Sequence, residues 1–167
     1  MSRQMPLFLK IPLILAVLFV AAGYALSLFS RRPDSLGVTD GKLAAVPASP
    51  NCVSTQTDSV AHQMESIAVP AGSQADAVTM AESVLRKMGG SIADIQADYV
   101  HAEFTSIIFR YVDDVEIYVP AGGALHFRSA SRAGHSDLGV NRRRMEEFTR
   151  RFQNSLAALP EDDSGGE

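Results

Sequence analysis

The hydropathy pattern divides the chain sharply. Residues 11–30, IPLILAVLFVAAGYALSLFS, run without a single charge. As an α-helix, twenty residues rise about 30 Å, the thickness of the bilayer hydrocarbon, so the run predicts a transmembrane helix. Arg3 and Lys10 precede it and Arg31 and Arg32 follow, so positive charge brackets the run and sets no strong orientation. The rival reading is a cleaved signal peptide, whose apolar region spans ~7–15 residues, with Gly23-Tyr24-Ala25 as the cleavage site. The length of the run favours an anchor. The expectation is a single-pass membrane protein whose C-terminal domain stands in an extracytoplasmic, periplasm-like compartment.

Residues 31–63 have no sustained period and carry Pro33, Pro47 and Pro50 among Ser, Thr, Gly and Asp, the pattern of an extended approach segment. Residues 64–158 read as a domain. Glu65–Val69, closed by Pro70, predicts a strand. Ser73 with Asp76 gives a capping-box-like start to a helix carrying Ala77, Val78, Ala81, Val84, Leu85 and Met88 on one face, with Gly89-Gly90 as its stop. From Ser91 to Ala133 the period becomes two, predicting three or four antiparallel strands. Val115, Ile117, Val119, Leu125 and Phe127 share the packed face. A three-residue loop, Ala121-Gly122-Gly123, then sets Ile117 opposite Phe127 and Glu116 opposite Arg128. In Tyr99–Arg110, Val100, Ala102, Phe104 and Ile108 suit the packed face; Ile107, Phe109 and Tyr111 share the second face with His101, Glu103 and Thr105, which predicts partial cover there. A last helix from Asn141 to Ala158 carries Met145, Phe148, Phe152 and Leu156 in one stripe, with Glu146–Arg150 and Glu147–Arg151 as i,i+4 pairs. Residues 159–167 form an acidic tail with nothing to pack. The predicted architecture is α+β: a single antiparallel sheet of about four to five strands with two helices on one face, preceded by the transmembrane helix.

Composition narrows the function. The 167 residues allow one modest domain plus an appendage. The single Cys52 excludes a disulfide framework and a cysteine-rich zinc module. The net charge is −4, and with Arg3 and Lys10 set aside, 13 of the 15 basic residues face 19 acidic ones, a net of −6 after residue 30. That balance argues against nucleic acid as a partner.

The chemistry concentrates between the last strand and the last helix, in residues 128–144, RSASRAGHSDLGVNRRR. Arg142, Arg143 and Arg144 fall in the first helical turn, where the macrodipole is already positive, so a negative group is expected nearby. One answer is an anion carried by a small molecule or envelope component and held by Arg128, Ser131, Arg132, Ser136, Asn141, Arg142 and Arg144. The other is internal neutralisation by Asp113, Asp114, Glu116 and Asp137, the commoner arrangement. Two further constellations compete. Cys52 as nucleophile, His101 as base and Asp113 or Asp114 as orienting group would make an enzyme, but no catalytic signature surrounds Cys52. Cys52, His101 and Glu103, with His126, would make a metal site, though their spacing matches no short metal motif. A noncatalytic binding module without a cofactor is the reading these residues favour.

The stretch 128–144 resembles the signature of the domain-of-unknown-function family numbered 1499. Ser49–Ser54, Tyr99–Ser106 and Val112–Glu116 match the same family's pattern in order, so the resemblance spans roughly residues 34–155. His135 stands where many members have tyrosine. The resemblance implies a leader or membrane segment ahead of the domain and assigns no activity.

Overall fold

A computed structural model describes residues 6–28, 30–70 and 72–158; the acidic tail, 159–167, lies outside the described residues. The elements are α1 (Leu7–Leu28), β1 (Cys52–Ser54), β2 (Ile67–Ala68), α2 (Gln74–Lys87), β3 (Ser91–Ile95), β4 (Tyr99–Thr105), β5 (Val112–Tyr118), β6 (Ala124–Ser131) and α3 (Val140–Ala157). The architecture is α+β, with one antiparallel sheet of six strands in place of the four to five expected. The order is β1-β6-β5-β4-β3, and β2 pairs β6 beyond β1. The additional strand is β1, which lies in the stretch read as an approach segment and is too short to show a period of two. The strand predicted at Glu65–Val69 is present, shortened to β2, and β1 and β2 use successive stretches of one edge of β6.

The β5–β6 hairpin has the expected register, with Ile117 opposite Phe127 and Glu116 opposite Arg128. The chain leaves α2 as predicted: Gly89 takes φ +91°, its N–H donates to the Arg86 carbonyl and that of Gly90 to the Leu85 carbonyl, the paired bonds of a Schellman stop. The capping box at the other end does not form; Ser73 occupies the N-cap position with no side-chain cap bond.

The core lies between one face of the sheet and α2 and α3, which both pack on that face. Phe148 of α3 stacks on Phe152 at 5.6 Å and meets the ring of Phe127 edge-on at 6.5 Å; all three are fully buried with Leu85, Ile117, Leu125 and Met145. Two expectations need correction. Ile108 is exposed in the β4–β5 turn, because β4 ends at Thr105 before the alternation would turn it inward. On α3, Glu147 accepts from both Arg150 and Arg151, so the described Arg150 contact goes to Glu147 in place of Glu146.

The other sheet face is also covered, by the extended stretch after α1. Val38 and Leu43 pack on Tyr99 and Tyr118. The Gly37 N–H donates to Glu116 Oε1, and Arg32 donates to Glu103. A segment without sequence period therefore becomes the second layer over the sheet. Among the described residues no helix is long and apolar enough to cross a membrane. In α1, which contains Pro12, the side chains at 7, 9 and 26–28 fall outside the described set.

Candidate functional site

Strand alternation sorts the chemistry-bearing residues onto opposite faces of the sheet. On the face covered by residues 31–50, three rows cross the strands. His126, Tyr118 and Tyr99 form the first, Ser54, Arg128, Glu116 and His101 the second, and Cys52, Ala130, Asp114 and Glu103 the third. Arg132 follows on the same side and reaches back. Its guanidinium grips Asp114 with two bonds, Nε to Oδ2 at 2.8 Å and Nη2 to Oδ1 at 2.6 Å, and Nη2 also donates to Glu103 at 2.6 Å. His101 Nε2 lies 2.8 Å from Asp114 Oδ1. Glu116, wholly buried, accepts from Arg128 at 3.2 Å, from the Tyr99 hydroxyl at 2.9 Å and from the Gly37 N–H at 2.8 Å.

These contacts set the protonation of the network. Burial raises the Asp114 carboxyl, but hydrogen bonds and charge from Arg132 and His101 outweigh it and hold the group below its ordinary value. Glu103 is likewise lowered, burial being outweighed by Arg132 and Arg32. Burial beside Glu116 raises the Tyr99 hydroxyl, and burial lowers His126. Charges are thus present and mutually neutralised. His101, Glu103 and Asp114 bring one ligand atom each within 4.8 Å of one another, so two of the expected metal candidates meet, with Asp114 in the place of Cys52. Both carboxylates are already held by Arg132, a donor set suited to guanidinium.

Cys52 stands apart from that group. It lies on β1, and His101 on β4 is three strand spacings away, about 14 Å at the usual separation. A thiol and an imidazole so placed do not share a proton, and the Cys52–His101 nucleophile–base pair does not assemble. Burial pushes the Cys52 thiol up to about 11, with Arg128 only partly offsetting it. In the folded protein at neutral pH, Cys52 is expected to react with iodoacetamide far more slowly than free cysteine and to label fully only after denaturation. Mass spectrometry of the two states checks this, and fast labelling of the folded chain would contradict it.

The arginine turn lies at the end of the core face. Asn141, at the start of α3, donates to the Asn51 carbonyl and the Ser131 hydroxyl and accepts from Ser129 and Arg144. Arg144 also donates to Asp113 at 2.7 Å, with its guanidinium 4.7 Å over the ring of Phe104. Arg142 reaches the carbonyls of Ala61 and Gln63, and Arg143 that of Leu138. The conflict with the helix dipole is met by Asp137, whose carboxylate accepts from the N–H groups of Gly139 and Asn141. Asp137→Ala is expected to cost ~1 kcal/mol, as loss of an N-terminal helix cap does. Thermal unfolding of the two proteins measures it.

Of the seven residues expected to hold an anion, Arg128 and Arg132 belong to the covered face, Arg142 binds backbone carbonyls, and Asn141 is a buried hub. Ser131, Ser136 and Arg144 remain together, lining a cleft of about 500 Å³ with Asp113 and Asp137. Phe104, Met88, Tyr111 and Val140 form its apolar wall. Asn51 and Ser129 were not among the sequence candidates, although both fall inside family-like motifs; their polar side chains secure the turn to β1 and α3.

A family model described as protein of unknown function (DUF1499) matches residues 42–152. The chain belongs to the DUF1499 family. No curated relative matches it. The matched span takes in β1 to most of α3, so the buried charge rows and the arginine turn both lie inside the DUF1499 domain, while α1 precedes it.

Proposed function

We propose that this DUF1499 protein is a noncatalytic binding module whose ligand enters the cleft beside the arginine turn, presenting an anionic head to Arg144, Ser131 and Ser136 and an apolar body to Phe104 and Val140. The observation that carries the reading is the convergence of these three polar side chains and an apolar wall on one cleft. Arg144 has five N–H donors, and its contacts to Asn141, Ser129 and Asp113 use three, so it can bind an oxyanion without releasing Asp113. Asp137 is engaged by the helix amides, which softens its repulsion of the head. In thermal unfolding of the full chain, decyl phosphate is expected to raise the midpoint, and decyltrimethylammonium is not. Val140→Trp, which places a large ring at the cleft wall, removes the response. An equal response in that variant would overturn the assignment.

The same proposal tethers the domain to a membrane through residues 11–30, on the extracytoplasmic side. The uncharged run and the exposed apolar side chains of α1, such as Leu15, Val17, Leu18 and Phe19, support it. Protease added to intact spheroplasts is expected to digest the domain; digestion only after lysis would contradict the orientation.

A further inference from the structure

Polar turn residues normally close a β-hairpin, because Gly, Asn, Asp, Pro and Ser satisfy or permit its backbone. The turn between β4 and β5 does the opposite. Ser106 and Tyr111 close it, with the Ser106 N–H donating to the Tyr111 carbonyl at 2.8 Å and the Tyr111 N–H to the Ser106 hydroxyl at 3.0 Å. Between them stand Ile107, Ile108, Phe109 and Arg110, the last with φ +59°. Ile107 is 93% exposed and Ile108 64%, the most exposed pair of adjacent large apolar side chains in the folded domain. Phe109 turns back instead, stacking on Tyr111 at 5.5 Å and meeting Phe19 of α1 edge-on at 5.6 Å. Its ring lies directly against Gly23, where any Cβ would collide with it.

We infer that this turn is a second membrane contact: Ile107 and Ile108 seat in the lipid interface beside α1 and fix how the domain stands on the bilayer. The inference rests on the proposal that α1 is the anchor. The occupant follows from continuity, since the turn is attached through Phe109 to the apolar surface of that helix. Depth follows from helix rise. Phe19 and Gly23 precede the end of α1 at Leu28 by nine and five residues, or ~14 and ~8 Å along its axis. The Gly23 level, ~8 Å in, falls within the ~5–10 Å to which the apolar faces of interfacial elements are buried, while the Phe19 level lies deeper, among the acyl chains, so the turn sits at the Gly23 end of that contact. Arg110, exposed in the same turn, suits anionic headgroups. The cleft shares Ser106 and Tyr111 with the base of this turn, so a seated turn would put the cleft near lipid.

The chain contains no tryptophan, so single tryptophans report position without background. Ile107→Trp, Leu15→Trp and Val60→Trp, all at exposed positions, are placed in the full chain and reconstituted in equimolar phosphatidylcholine and phosphatidylglycerol vesicles. Ile107→Trp is expected to emit to the blue and to lose most of its emission to lipids brominated near the headgroup. Leu15→Trp is quenched by lipids brominated deep in the chain, and Val60→Trp only by aqueous acrylamide. If Leu15→Trp is quenched by lipid while Ile107→Trp behaves like Val60→Trp, the turn contact is overturned and the anchor stands. If neither is quenched by lipid, the anchor fails and the turn contact with it.

Discussion

Asp114→Ala is expected to destabilise the domain by about 3–5 kcal/mol, the cost of removing one partner from a buried charge network. The carboxylate is 2% exposed and is the shared acceptor of Arg132 and His101; without it a guanidinium that is 7% exposed keeps only Glu103. Chemical unfolding followed by near-ultraviolet dichroism reads the effect. The same carboxylate gives the fold an acid limit. Its folded value lies below the ordinary 3.8, so its stabilisation is complete above that pH and is lost as pH falls from there through the lower folded value. Asp114→Asn removes that part of the acid dependence while keeping the shape. A variant with unchanged stability and an unchanged acid limb would show that the network contributes nothing to the fold.

Phe148→Ala is expected to cost about 3–5 kcal/mol as well, for a different reason. The ring is fully buried and touches two others, Phe127 across the sheet interface and Phe152 one turn along α3. Its loss opens a void where neither the sheet nor the helix can close without moving the other. Because α3 also carries Asn141 and Arg144, loosening it displaces one side of the cleft, and the response to decyl phosphate should weaken along with stability. A loss under about 1 kcal/mol would mean that α3 is not seated on the sheet as described.

The features that were legible in the sequence are those with a period. Alternation from Val115 to Phe127 was enough to set Glu116 against Arg128, and the helical stripe of Met145, Phe148 and Phe152 identified the core face of α3. Partial cover of the second sheet face was signalled by the apolar residues that share it in Tyr99–Arg110, but the segment that supplies the cover had no period to mark it. It is fastened by a backbone N–H at Gly37, by single side chains at Arg32, Val38 and Leu43, and by Gln56, which bonds the backbone of Gly41 and Leu43. Those contacts leave no pattern in residues 31–50. Burial of Glu116 and Asp114 was hidden for the same reason, since an alternating strand reads as half-exposed until something covers its polar face.

The arginine turn was conspicuous, but charge alone did not separate its members. Arg132 and Arg144 sit on opposite faces because β6 ends between Ser131 and Arg132 while α3 starts at Val140. The first is consumed by Asp114 and Glu103, and the second borders open space. The apolar wall of the cleft comes from Phe104 and Met88, residues that read as ordinary core positions.

Amide chemical-shift mapping of the full chain titrated with decyl phosphate tests the binding site most directly. The predicted result is saturable shifts confined to Phe104–Ser106, Ser131–Asp137 and Val140, around the cleft. Shifts centred on His101, Asp114 and Glu116, beneath the covering segment, would contradict it.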